Sequence, residues 1–470
     1  MMGHWQKQTE LWVEPVNLGR RISADHLLRK INKVLDLGFV RREVAGFYGS
    51  NGHVSVDPVI IIKLMLLLFL DDVRSERELM RIVPLRLDYL WFLGYGLEDE
   101  IPNHSVLSKA RKRWGGQVFE RLFARSVEQC VAAGLVDGSK LYLDASLVAA
   151  NASRNSVIEV MVRREVSKLE EQEQEEDQDS GSSGGSVNRK LRSTTDPDST
   201  VVRHQQGKPT PSYKNHRTLD DKAGVVTAIT TTTGAIDEAS ELIKLIERHE
   251  RLTAAKTKVA VADRRYGDTA NLIALAQREI RTHVADLRSK LRNARSQGIY
   301  PPERFVYQPP KRTAIGARRE SSFRGITLLP GAATMNIAPS GESARAAGYD
   351  SSARVIRTVA PLSATRARSF WIKRASNPTS PQARSDRKRR QWFQERNFAE
   401  AAVQHGFKRA RWRGLWRQSI QDYLIAAIQN LRIIAKNQKN LLLALTQSLV
   451  ARSVINPPRI VVTATYAGIS

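Results

Sequence analysis

The chain has 470 residues, 41% of them hydrophobic, which is long enough for two or three domains with cores of their own. Its 74 Lys and Arg against 48 Asp and Glu give a formal net charge of +26, which favours nucleic acid as the partner, although a ribosomal or acidic membrane surface would also attract such a chain. The single cysteine excludes a disulfide framework and a thiolate zinc site.

The sequence starts as MMGHWQKQTELW, without the apolar region of a secretory signal. Its most apolar run, residues 59–70, is interrupted by Lys63 and is too short to span a bilayer, so it predicts a buried helix. We therefore expect no membrane partner and a cytoplasmic, nucleoid-associated location.

Residues 24–134 have a helical pattern. Asp57 followed by Pro58 predicts the start of the apolar helix, and Ser75 with Glu78 forms a capping box. The helix VLSKARKRWG ends in a basic tail that suits a DNA-reading helix, although a solvated basic face would look the same. The basic residues of this helix are Lys109, Arg111, Lys112 and Arg113.

The next region alternates short strands and helices. The run LYL ends in Asp144, VVTAITTTT completes a hairpin after a turn at 222–224, and KVAVA ends in Asp263. Helices are predicted over 157–173 and about 239–252. This order predicts a mixed α/β layer with acidic residues at strand ends.

Two stretches lack the pattern of a packed element. One is acidic and then Gly/Ser-rich, and the other is rich in Ala, Arg, Ser, Gly and Pro without periodicity. The predicted divisions are a helical domain over 1–136, a mixed-sheet core over 137–308 with a disordered linker insertion at 178–210, a poorly ordered insertion over 309–385, C-terminal helices completing the core over 386–450, and a tail over 451–470.

Three acids stand in positions where they could meet. Asp144 and Asp263 each follow an apolar strand, and Glu395 lies in a predicted helix. Phosphodiester cleavage by two hard cations needs several converging carboxylates, and magnesium prefers oxygen ligands. On this pattern alone the trio is a hypothesis, because an acid at the end of a strand also serves as a turn or cap.

Five blocks of the chain, in the same order, resemble bacterial insertion-sequence transposases with a DDE catalytic domain. They are VSVDPVIIIKLMLLLFLDDVRSERELMRIV through IPNHSVLSKARKRWG, then LYLDASLVAANASRNS, SYKNHRTLDDKAGVVTAITTTTGAIDEA, ADRRYGD, and ERNFAEAAVQHGFKRARWRGLWRQSIQDYLIAAIQNL. The resemblance covers most of the chain outside 178–210 and 309–385. It implies an α/β fold, in which an all-helical DNA-binding domain precedes a ribonuclease-H-like mixed-sheet catalytic domain with an insertion.

The resemblance also implies the chemistry. Asp144, Asp263 and Glu395 fall at the positions of the family's metal-binding acids, for Mg²⁺ or Mn²⁺, and the partners would be the double-stranded DNA of the element ends and target. Paired ends imply a homodimer. We predict phosphate contacts at residues that follow the second acid or lie among tryptophans near the C-terminus. These residues are Arg264, Arg265, Lys408, Arg409, Arg411 and Arg413.

The sequence also departs from the family. Glu395 fits the family's Glu-x-x-Phe segment, with Phe398, better than the nearby Glu400 does. The lysine that relatives carry seven residues later is Ala402, and residues 309–385 lack the cysteines that many relatives have there. A frameshifted or decayed insertion, and hence an inactive copy, is one hypothesis. The alternatives are a ribonuclease-H-like nuclease that cleaves without joining and a catalytically decayed DNA-binding protein.

Overall fold

A computed structural model describes residues 17–49, 55–159, 191–203, 207–284, 306–308, 313–315, 326–327 and 380–455. The chain divides into two compact units. The first unit comprises Met1–Leu135, Ala401–Phe407 and Ser419–Ser470, and the second comprises Val136–Glu400 and Lys408–Gln418.

The N-terminal part of the first unit is helical, as predicted. Its described α-helices are α1 (Leu18–Arg21), α2 (Leu27–Val34), α3 (Val40–Val44), α4 (Pro58–Leu70), α5 (Glu76–Ile82), α6 (Leu87–Leu93), α7 (Ser105–Trp114) and α8 (Gln117–Ala132). Both predicted caps are present, because Asp57 accepts the N–H of Val59 at 2.9 Å and Ser75 accepts that of Glu78 at 3.1 Å. Helix α4 is buried along most of its length, and Lys63 within it donates to the Phe92 carbonyl at 2.6 Å. The apolar run is therefore a core helix.

Two long helices close the described chain, α11 (Pro381–His405) and α12 (Leu415–Ile455). In the first unit, Tyr423 of α12 stacks on Phe123 of α8 with ring centroids 5.9 Å apart. Asn430 donates to the Ser126 hydroxyl at 3.2 Å. The predicted block 386–450 is thus divided between the units, because the part of α12 that carries Tyr423 and Asn430 packs against α8 in the first unit.

The second unit is built on one mixed sheet. Its strands are β1 (Lys140–Ala149), β2 (Val157–Glu159), β3 (Leu191–Ser193), β4 (Thr200–Val202), β5 (Thr210–Asp220), β6 (Val226–Thr233), β7 (Val259–Val261) and β8 (Arg281–Thr282). The order is β2-β3-β4-β5-β1-β7-β8, and β6 pairs with β5. Strand β1 is antiparallel to β5 and parallel to β7, so the sheet is mixed as predicted. Helices α9 (Leu242–Thr253) and α10 (Thr269–Gln277) also belong to this unit.

Three sequence predictions were wrong in part. Strand β1 continues beyond Asp144 to Ala149, so this acid lies within the strand and not at its end. The predicted helix 157–173 begins instead as strand β2, and its remainder from residue 160 lies outside the described residues. The predicted linker 178–210 contains β3 and β4, which continue the sheet from β5.

Asp196 explains why part of that polar segment is ordered. Its carboxylate accepts the Tyr213 hydroxyl at 2.6 Å and the N–H of Gly414 at 3.0 Å.

A second small sheet is formed by β9 (Val306–Gln308), β10 (Thr313–Ile315) and β11 (Ile326–Thr327). Strands β10 and β11 belong to the insertion that was predicted to be poorly ordered.

The side chains of β1 alternate between two faces of the sheet. Leu141 and Leu143 point to the apolar face, where they join a buried cluster with side chains of α9 and α10. Lys140 and Tyr142 point to the polar face, where Tyr142 stacks on Phe393 of α11 with centroids 5.7 Å apart. Asp144 continues the polar series, so α11 and Asp144 share one side of the sheet.

Candidate active site

Two parallel strands, β1 and β7, lead towards Asp144 and Asp263. Tyr142 pairs with Val261, and each acid follows its paired residue by two positions. Because side chains alternate along a strand, Asp144 belongs to the polar face, whereas Asp263 lies two residues beyond the end of β7. Asp263 is exposed and caps the following turn, accepting the N–H of Arg264 at 2.6 Å. The predicted proximity of the two aspartates therefore has a geometric basis in the sheet.

The carboxylate of Asp144 is partly buried and has two hydrogen bonds. One oxygen accepts the N–H of Ala145 at 2.9 Å, and the other accepts Nη1 of Arg390 at 2.9 Å. Burial raises the pKa of Asp144 above its usual value, and the charges of Glu238 and Asp263 raise it further, whereas Arg390 opposes the rise. Burial is therefore the main cause of the raised pKa, and Arg390 is the nearby charge that acts on Asp144 most strongly.

Helix α11 fixes this arrangement with residues on one of its faces. Arg390 pairs with Asp144, Gln394 donates to the Tyr142 carbonyl at 3.0 Å, and Asn397 accepts Nη1 of Arg217 at 2.7 Å. Their spacing of four and then three residues is that of one helical face. The helix is therefore held along β1 by polar contacts.

Two residues near Asp144, Glu238 and Tyr266, were not predicted from the sequence as part of the site. Glu238 is 8% exposed, and its carboxylate lies 3.6 Å from Nζ of Lys214 and 3.3 Å from Nη1 of Arg265. In the sequence it resembles an ordinary acid in the first turn of a helix, because Asp237 beside it is the cap. No signal in the sequence connects it to Asp144.

Tyr266 is fully buried, and its hydroxyl has no hydrogen-bond partner among the described residues. Burial raises its pKa well above the usual value, and the charges of Glu238, Asp144 and Asp263 act in the same direction. The hydroxyl is therefore a neutral donor near the acids.

Glu395 is not brought to the two aspartates. It is exposed on α11, where one carboxylate oxygen accepts Nε2 of Gln391 at 2.9 Å. Within the described part of the chain, no three His, Cys, Asp or Glu side chains lie close enough together to hold a metal ion. The expected trio is thus present as a pair, with Glu395 on the adjoining helix.

The donor set of the pair suits a hard divalent cation. Both side chains offer carboxylate oxygens, the ligand type that hard divalent cations prefer. The oxygen donors of Asp144 and Asp263 are therefore of the type that magnesium prefers.

One of the predicted DNA contacts of α7 is wrong, because Arg111 is 4% exposed and forms an ion pair with Glu76. Such a buried pair holds the helices together and leaves no guanidinium for phosphate. The other basic residues of α7, Lys109, Lys112 and Arg113, are exposed. Helix α7 thus retains a basic outer face.

The backbone of the basic segment 408–413 pairs with Ala149, the last residue of β1. The N–H of Ala149 donates to the Lys408 carbonyl at 2.9 Å, and the N–H of Ala410 donates to the Ala149 carbonyl at 2.8 Å. The Lys408 ammonium donates to the Ser146 hydroxyl on the polar face at 2.7 Å. Among its basic side chains, Lys408, Arg409 and Arg413 are exposed and Arg411 is half-buried.

The two arginines after Asp263 differ in their surroundings. Arg264 is half-buried, whereas Arg265 is exposed and pairs with Glu238. Both follow Asp263 directly, beyond the end of β7, so their positive charge lies close to this acid.

Three comparisons bear on identity. No curated protein sequence matches this chain. One solved structure, the cryo-EM structure of a piggyBac transposase synaptic complex with hairpin DNA, is 9% identical, covers 92% of this chain and 80% of that one, and has a TM-score of 0.28, which is too low to inform the fold. No helix in the described residues combines the length and apolarity needed to cross a membrane. Residues 16–113 match the family model described as Transposase domain (DUF772), and this match supports a transposase role for the chain.

Proposed function

We propose that this chain is an insertion-sequence transposase of the DDE type, which binds the terminal inverted repeats of its element, cleaves the DNA strand there and joins the freed 3′ end to target DNA. The observation that supports the proposal is the parallel pairing of Tyr142 with Val261, two residues before Asp144 and two residues before Asp263, in a chain whose residues 16–113 match a transposase-domain family model. The mixed order of strands around β1 agrees with a ribonuclease-H-like core.

Asp144 and Asp263 would hold magnesium through carboxylate oxygens, whereas Glu395, the third acid that the resemblance implies, is exposed on α11 and is not part of this pair. When bound, the cation would activate the attacking oxygen and stabilise the leaving one. Other residues would support this site. Arg390 of α11 pairs with Asp144, and Arg264 and Arg265 place positive charge directly after Asp263. Manganese is expected to substitute, because it also accepts oxygen ligands.

Exposed basic side chains of both units would bind the DNA backbone. They include Lys109, Lys112 and Arg113 of α7 and the segment 408–413. Such contacts add affinity that falls with salt and carry no base specificity. Synapsis of two ends would require a homodimer.

A strand-transfer assay tests the proposal. The probe is a duplex with the inverted repeat that flanks the coding sequence, incubated with Mg²⁺ and a supercoiled target plasmid. We expect joined product from the wild type and none from Asp144→Asn. Glu247→Gln is the matched control, because Glu247 is an exposed acid on α9 that pairs with Arg278, and it should retain joining.

Other outcomes identify the alternatives. Cleavage without joining would indicate a ribonuclease-H-like nuclease. DNA binding without either reaction, unchanged by Asp144→Asn, would indicate a decayed DNA-binding protein and overturn the catalytic proposal.

A further inference from the structure

Arg390 is the side chain of α11 that reaches the proposed site most directly. Its Nη1 donates to Asp144 at 2.9 Å, and its side chain is 14% exposed. Neighbouring arginines are bound elsewhere, since Arg389 pairs with Asp221 at 2.7 Å and Arg387 lies 3.5 Å from the His283 carbonyl. Of these arginines, Arg390 is thus the one that pairs with Asp144.

The guanidinium of Arg390 is not fully used by the protein. A guanidinium carries five N–H donors in a rigid fork, and the contact with Asp144 takes one of them. Nε is buried and has no acceptor among the described residues. An unsatisfied buried donor is costly, so it commonly marks a place where water or a ligand completes the hydrogen bonding.

The ligand that fits the free donors is an anion with paired oxygens. A guanidinium binds phosphate with two parallel N–H···O bonds, and a carboxylate on another of its nitrogens fixes its orientation. A carboxylate ligand would be repelled by Asp144 and Asp263 as strongly as a phosphate would, but a phosphodiester is the group on which these acids would act. The local chemistry thus favours a DNA phosphate.

We propose that Arg390 binds a non-bridging oxygen pair of the DNA phosphate that is presented to Asp144 and Asp263. This inference rests on the proposed function and adds a phosphate-binding residue to it. Asp144 orients the guanidinium, and the guanidinium offsets the negative charge that phosphate brings next to two carboxylates. The sequence did not indicate this role, because Arg390 is one of several consecutive basic residues in KRRQWF.

A chemical double-mutant cycle on binding tests this assignment. The binding of a fluorescent inverted-repeat duplex is measured in Ca²⁺ in place of Mg²⁺, with a neutral methylphosphonate placed at one terminal phosphate at a time. Arg390→Gln should weaken binding of the unmodified duplex about tenfold, the loss of one charge-assisted contact. At one position the methylphosphonate should weaken wild-type binding similarly and leave Arg390→Gln unaffected.

Two variants control the test. Arg389→Gln removes the same charge from the adjacent residue, which faces Asp221, and should lower binding of every duplex alike by a small factor. Arg390→Lys keeps a charge beside Asp144 but lacks the planar fork, so it should retain only part of the affinity. A melting temperature close to that of the wild type for each variant shows that the fold is intact.

The outcomes separate this inference from the proposed function. If Arg390→Gln and every methylphosphonate act additively, Arg390 is a counter-ion of Asp144 alone and the assignment is overturned, whereas cleavage and joining by the wild type stand. If the wild type does not bind the duplex, both proposals fail.

Discussion

The two faces of strand β1 differ in what they bury, although they are built from alternate residues of one short segment. On the apolar face, Leu141 and Leu143 are fully buried among aliphatic side chains of α9, α10 and β7. On the polar face, Lys140, Tyr142 and Asp144 meet the acids, arginines and amides of α11. One face thus stabilises the sheet, and the other positions charged groups.

This difference predicts that substitutions of neighbouring residues have different effects. A substitution on the polar face should lower activity and leave stability nearly unchanged. A substitution on the apolar face should lower stability and leave activity nearly unchanged. Adjacent positions therefore serve as controls for each other.

The largest effect is expected at Asp144. Asp144→Asn keeps the size of the side chain and an acceptor for Arg390 but removes the charge, so cleavage of the inverted-repeat duplex should fall by roughly a thousandfold or more. Because burial already disfavours the ionised carboxylate, the melting temperature should change little. The measurement is single-turnover cleavage in Mg²⁺ beside thermal unfolding. Full activity in the variant would remove Asp144 from the mechanism.

The next effect is one of stability, at Leu143. Leu143→Ala removes a fully buried side chain from the apolar cluster and should lower the free energy of unfolding by about 2–5 kcal/mol. Denaturant unfolding measures this loss. At a temperature where the variant remains folded, its cleavage rate should match the wild type. A loss of activity without a loss of stability would contradict the division between the faces.

A smaller effect concerns pH and a histidine that pairs with Ala145 across β1 and β5. His216 is fully buried and lies 2.8 Å from the Thr232 hydroxyl, and burial, with Lys214 and Lys244 nearby, lowers its pKa to about 3. Since the unfolded chain binds the proton at a higher pH, stability should fall as the pH drops from about 6.5 towards 3.

The expected slope from this group approaches roughly 1.4 kcal/mol per pH unit. His216→Gln should flatten that part of the profile, measured as the difference in unfolding free energy from the wild type at pH 6.5 and 4.5. Parallel profiles for the two proteins would show that His216 does not titrate as its burial requires.

The smallest effect is expected at Tyr266, whose hydroxyl is the polar exception within the apolar cluster. Removing a buried donor that has no acceptor should stabilise the protein, by up to about 1 kcal/mol, so Tyr266→Phe should raise the melting temperature slightly. Scanning calorimetry at neutral pH measures the shift. A clear decrease would show that the hydroxyl has an acceptor in the folded protein, such as a buried water.

Local sequence signals predicted much of the fold. The caps at Asp57 and Ser75, the hairpin around residues 222–224 and the strand before Asp263 all depend on short-range chemistry, and the structure contains them. The polar composition of a segment gave a wrong prediction of disorder where its residues bind partners far along the chain. The segment with β3 and β4 resembles a linker, but Asp196 binds Tyr213 and Gly414.

The candidate site was predicted only in part, for the same reason. Asp144 and Asp263 could be proposed because each follows an apolar run in the sequence, and these two runs pair in parallel in the structure. Arg390 and Glu238 could not, because their roles follow from the placement of α11 and of the 3-10 turn Glu238–Glu241 rather than from any local motif. Arg111 looked like a surface cation until its burial against Glu76 was visible.

The most direct test of the central claim locates the cation itself. Ferrous iron, loaded in place of Mg²⁺ and activated with ascorbate and peroxide, cleaves the polypeptide next to the residues that bind it. The account predicts fragments that end near Asp144 and Asp263, with a further cut near Glu395 if that acid completes the site, all suppressed by excess Mg²⁺ and absent from Asp144→Asn. Cleavage confined to other acids, or unaffected by Mg²⁺ and by the substitution, would contradict a metal site on the polar face of β1.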